Sequence, residues 1–141
     1  VLRDSVTVGT RVDASLDVVW RLLTVGRDAW WPEMRFDAVV GSPLVETWTE
    51  GGVEATATGR VTRCDPPRLL AFVWAEPTWD GPLEVVVRLT ADGTSTVVDL
   101  AETGFVRART PRSLPDEHEE GWRYHLARWK RASEGGDVDG R

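Results

Sequence analysis

Between residues 36 and 103 apolar side chains recur at every second position, and turn signals cut the run at regular intervals. Residues 36–41 and 44–49 are separated by Gly41-Ser42-Pro43, and Glu50-Gly51-Gly52 makes the next turn. Residues 53–63 alternate strongly and close at Asp65-Pro66-Pro67, and 69–74 form a short apolar strand. Residues 82–90 place Leu83, Val85, Val87 and Leu89 on one face, and Asp92-Gly93 is a hairpin signal into 95–103. A chain of hairpins like this makes one antiparallel sheet. Residues 6–12 alternate as well and add a strand at the front.

A single sheet must cover its apolar face. Ser15 sits where an N-cap belongs, and Leu16, Val19, Trp20 and Leu23 follow at helical spacing, which predicts a short helix that buries Trp20. Pro115-Asp116 opens a longer helix that Gly135-Gly136 ends, with acids first and bases last, as the helix dipole favours. At 100° per residue, His118, Trp122, His125, Leu126, Trp129 and Ser133 share one stripe. This helix, from about Asp116 to Ser133, is the only element large enough to cover the sheet. The expected fold is α+β: a curved antiparallel sheet of about seven strands wrapped on a long C-terminal helix, with one or two short helices after the first strand. A sheet curled around one helix is hard to fill near its open end, so a cavity between the two is expected. The expected organisation is one domain over 1–134 and a flexible tail over 135–141.

The 141 residues carry a net charge of −6, which argues against nucleic acid as a partner. No apolar run reaches the length of a membrane span, so no membrane partner is expected. Val1-Leu2-Arg3-Asp4 lacks the pattern of a signal peptide, and Cys64, alone, builds neither a disulfide framework nor a zinc site. A cytoplasmic location follows as the expectation. Neither a phosphate loop, a serine elbow nor a dinucleotide fingerprint is present, and His118 and His125, seven residues apart, cannot share a metal. We therefore expect no metal and no cofactor.

The segments Val12-Asp13-Ala14-Ser15 into Val18-Val19-Trp20, Gly41 with Glu46-Thr47-Trp48, and Gly59-Arg60-Val61 with Asp65-Pro66-Pro67 stand in a telling order. Leu70-Ala71-Phe72-Val73-Trp74, Thr103-Gly104-Phe105 and His118-Glu119-Glu120-Gly121-Trp122 complete it. With this order the chain resembles the START-related superfamily, also called SRPBCC or helix-grip proteins. Within it, residues 5–134 are similar to the heat-shock-protein-90 ATPase activator homologue family of bacterial single-domain proteins. The resemblance implies a cavity for apolar molecules in some relatives, cyclase or aromatase chemistry in others, and co-chaperone work in stress response in others again. A homodimer and a chaperone are the protein partners it suggests.

Eight tryptophans stand against three phenylalanines and one tyrosine. Trp48, Trp74, Trp122 and Trp129 fall on inward positions, where they either fill the core or line a cavity. Trp30, Trp31 and Trp79 fall on loops, at a cavity mouth or on a partner surface. Glu102 continues the inward face of Thr96, Val98 and Leu100, and Glu46 shares a face with Trp48. The first-ranked reading keeps each carboxyl near the rim, solvated or paired with an arginine such as Arg60 or Arg88. The sharper reading desolvates them and raises their pKa values for ligand orientation or proton transfer.

The favoured function is non-catalytic binding of a small apolar or aromatic molecule. Trp48, Phe72, Trp74, Trp122, Leu126 and Trp129 are the cavity candidates, with Glu46, Glu102 and His118 as polar groups. The alternative is a protein-interaction module with an exposed aromatic patch at Trp30, Trp31 and Trp79. The third reading is a cyclase- or hydrolase-like enzyme, which needs Glu46, Glu102 or the histidines in the pocket; no catalytic residue is assigned.

Overall fold

The computed structural model describes residues 2–136. Seven strands form one antiparallel sheet: β1 (Ser5–Val12), β2 (Met34–Arg35), β3 (Pro43–Glu50), β4 (Val53–Asp65), β5 (Leu69–Ala75), β6 (Leu83–Asp92) and β7 (Ser95–Thr103). Their order is β1-β7-β6-β5-β4-β3-β2, so every strand from β2 to β7 pairs with its sequence neighbour and β1 closes on β7. Helix α1 (Leu16–Leu23) and a 3-10 turn (Arg27–Ala29) follow β1, and α2 (Leu114–Ser133) ends the fold. This is the helix-grip arrangement expected from the hairpin run. The glycine-rich tail lies, from residue 137 on, outside the described residues.

Local chemistry accounts for the elements. Ser15 caps α1 by accepting the Val18 N–H at 3.3 Å. Helix α2 starts at Leu114, two residues ahead of the expected start, with Pro115 in its first turn, where a missing N–H costs nothing. Arg3 ties the chain's start to that turn through Asp116 and Glu119. The long β4 bends where its register with β5 shifts between Val61 and Arg63. Gly59 stands opposite Trp74 in this pairing, and a Cβ there would lie 1.7 Å from the Val73 carbonyl oxygen. Only glycine lets β5 approach so closely, and that approach sets the position of Trp74.

One strand expectation fails. Residues 36–41 do not extend; β2 is confined to Met34–Arg35. The Ser42 hydroxyl accepts the Asp37 N–H, the Val39 N–H turns back onto the Asp37 carbonyl, and Gly41 takes φ +90°. Local hydrogen bonds of serine and a left-handed glycine outcompete the ladder here.

The sheet's inner face packs on α2 and α1. Trp30 and Trp31 are only 2% and 3% exposed, so both belong to the core, and no aromatic patch forms around them. The reason is Arg27. Its guanidinium is buried over the Phe36 ring and donates to the carbonyls of Leu23, Thr24, Met34 and Phe36, which folds the loop inward. Five indoles then run as a continuous ladder, Trp129–Trp30–Trp31–Trp122–Trp74, with successive centroids 5.5, 5.6, 5.6 and 5.7 Å apart. Trp20, expected to be buried by α1, is only half-buried.

Candidate functional site

The interior between sheet and α2 is nearly full. Phe72, Trp122, Leu126 and Trp129 surround a closed void of about 20 Å³, together with Trp30 and Trp31. That is room for about one water. At the open end of the grip a recess of about 440 Å³ sits between β3, β4, β5 and α2.

Three tryptophans give this recess its walls: Trp48 from β3, Trp74 from β5 and Trp79 from the loop after β5. Glu46 and Glu50 enter from β3, and Glu33 and Glu76 flank them. Helix α2 contributes Glu117, His118, Tyr124 and His125. Of the residues singled out from sequence as polar or aromatic ligand contacts, Trp48, Trp74, Glu46 and His118 meet here.

Glu102 stands behind them. It is 0% exposed, and neither Arg60 nor Arg88 pairs with it. Its Oε1 bonds His118 Nδ1 at 2.8 Å and accepts the Trp122 indole N–H at 2.9 Å, while Oε2 accepts the Trp74 N–H at 2.8 Å. The rim reading of Glu102 is thus replaced by a buried anchor that orients two rings of the ladder and one imidazole.

Glu46 is not at the rim either. Burial pushes its pKa up to about 7, against the Trp31 N–H it accepts at 3.0 Å and the His118 charge, while Glu33 and Glu76 push it further up. Burial works against the charged form of His118, yet the Glu102 bond and the charges of Glu102, Glu76 and Glu46 together raise its pKa. His125 behaves in the opposite way. It stacks on Trp31 at 4.1 Å, its buried Nδ1 has no hydrogen-bond partner, and burial with the Arg128 charge lowers its pKa to about 4.

A neutral His125 is favoured by the fold, so its contribution is complete above an ordinary histidine pKa and is lost as pH falls towards 4. By pH 5 this amounts to about 1–2 kcal/mol. His125→Phe should keep the stack on Trp31 and flatten the fall of thermal stability between pH 6.5 and 4.5. Parallel melting profiles for the two proteins would refute this account. His118 has the opposite sign: its contribution is full below an ordinary histidine pKa and fades as pH rises through its elevated value.

Residues 13–134 match the family described as Activator of Hsp90 ATPase homolog 1-like protein. The chain belongs to this family. Its fold resembles CalU16 from Micromonospora echinospora, with a TM-score of 0.73 and 27% identity over 94% of this chain and 75% of that one. It also resembles DynU16, a protein of the dynemicin biosynthetic locus, with a TM-score of 0.78 and 22% identity over 96% of this chain but only 49% of that one. The Aha1 dimer from Colwellia psychrerythraea has a TM-score of 0.76 and 18% identity over 94% of this chain and 97% of that one. Among curated proteins none matches the sequence. No helix among the described residues is long and apolar enough to cross a membrane.

Within this Aha1-type domain, sequence reasoning missed several residues of the recess. Glu33, Glu50, Glu76, Glu117 and Tyr124 were not singled out, because charged residues at strand ends and on helix flanks are ordinary one at a time. For Trp31 the sequence suggests a cavity mouth or a partner surface; the structure buries it and aims its indole N–H at Glu46.

Proposed function

We propose that the recess at the open end binds a small aromatic molecule without transforming it. The observation that carries this reading is a concavity of about 440 Å³ walled by Trp48, Trp74 and Trp79. The volume lies in the range of small-molecule pockets, and flat indole faces match flat ligands. Ligand contact is assigned to Trp48, Trp74, Glu46 and His118, with Trp79 as an added wall. Glu102 acts through His118 and Trp74, and Phe72, Trp122, Leu126 and Trp129 support the floor. Membership in a helix-grip family supports a cavity-based role.

Titration calorimetry with a panel of two- and three-ring aromatics tests the reading. Trp48→Ala and Trp79→Ala remove half-buried rings outside the ladder, so each should weaken binding about tenfold while the fold survives. Absence of heat across the whole panel, with circular dichroism intact, would reject it. Acid–base catalysis, the third reading of the sequence, is the second one here because Glu46, His118 and His125 line the recess and Glu102 backs His118. Chromatography of the calorimetry mixtures decides between the two, since only catalysis yields a product.

A further inference from the structure

The walls of the recess are aromatic, but its charge is of one sign. Glu33, Glu46, Glu50, Glu76 and Glu117 line it, and neither arginine nor lysine does. Among the described residues that line the recess, the group that sets a positive charge against these carboxyls is His118, and Glu102 directly behind it answers that charge. Among the described residues none of the five is ion-paired to an arginine or lysine. Glu50 accepts only the Trp48 indole N–H, and Glu117 only the Ser113 hydroxyl.

These carboxyls feel one another. Glu33 and Glu76 disfavour the charged form of Glu46, and Glu50 and Glu117 disfavour that of Glu76. His118 offsets this in part for Glu46 and Glu76, but five carboxyls against one imidazole store repulsion that a positive guest relieves. No three of the His, Cys, Asp and Glu side chains among the described residues converge closely enough to hold one metal ion. The carboxyls surround the space instead of meeting at a point. That arrangement suits a cation with a body of its own.

The aromatic walls agree. Indole and phenol faces attract cations within about 6 Å of the ring centre. The chain itself lays the Arg128 guanidinium over Tyr124, one of the lining rings, at 5.4 Å.

Resting on the aromatic-ligand reading above, we propose that the natural guest of this recess is an organic cation, an aromatic body bearing a protonated amine or a quaternary ammonium. The ring lies among Trp48, Trp74 and Trp79. The positive group faces the carboxyls of Glu33, Glu76 and Glu117. An aromatic carboxylate of the same size is repelled from the same place.

Three naphthalene probes of one shape separate the claims: 2-(1-naphthyl)ethylammonium, 2-(1-naphthyl)ethanol and 3-(1-naphthyl)propanoate, titrated by calorimetry at pH 8 and low salt. The ammonium should bind at least tenfold tighter than the alcohol, and the propanoate more weakly than the alcohol. Added salt should narrow the gap. The triple variant Glu33→Gln/Glu76→Gln/Glu117→Gln should bring the ammonium-to-alcohol ratio close to one, with its melting temperature verifying the fold. Equal affinities for ammonium and alcohol, or a preference for the propanoate, would overturn the cation claim and leave the aromatic pocket standing. Failure of all three probes to bind the folded protein would remove both.

Discussion

Glu102→Ala is expected to lose about 3–5 kcal/mol of stability, a large share of what a domain this size possesses. Alanine leaves the N–H groups of Trp74 and Trp122 and the Nδ1 of His118 without the fully buried carboxylate that joins them. Unpartnered buried donors cost more than the bonds contributed when made. Glu102→Gln keeps the shape but turns one acceptor into an amide nitrogen, so at least one donor meets another donor. A smaller loss of about 1–3 kcal/mol follows. The same variant should lower the His118 pKa, because the bond and charge of Glu102 are the leading influences that hold it up. Chemical denaturation gives the first quantity and a histidine NMR titration the second. A Glu102→Ala protein as stable as the parent would show that the three donors find other partners.

Trp30→Ala should cost a similar amount, about 3–5 kcal/mol. Trp30 is buried, stacks on Trp129 at 5.5 Å with planes 6° apart, and donates its indole N–H to the Leu22 carbonyl at 2.6 Å. Its removal enlarges a void of about 20 Å³ that Trp30 itself lines. Trp79→Ala, at a half-buried loop position, should cost far less. Equal denaturation midpoints for the two variants would contradict the placement of Trp30 in the core.

The contrast between these tryptophans marks how far sequence reading reaches. Strand parity was enough to turn Glu102 inward, because Thr96, Val98, Leu100 and Glu102 alternate without a break. Parity could not say what Glu102 would meet. Its three partners come from β5 and two turns of α2, and only the curl of the sheet brings them together. Trp30 and Trp31 have no period to betray them, and the buried Arg27 that pulls them inward bonds to backbone carbonyls that no side-chain pattern encodes. Most of the helical stripe was legible: Trp122, Leu126, Trp129 and Ser133 are buried, while His118 and His125 on the same stripe are half-buried at the recess. The space expected near the open end is confined to the mouth for a reason of volume, since indoles fill more interior than the aliphatic residues that usually occupy it.

The indole ladder also changes how light reads this protein. Rings 5.5–5.7 Å apart exchange excitation before they emit, so Trp129, Trp30, Trp31, Trp122 and Trp74 act as one coupled absorber and not as five. Trp74 is the rung that reaches the recess. A guest that quenches it drains the excitation of the whole core, and the emission of a buried interior becomes a report on an open pocket.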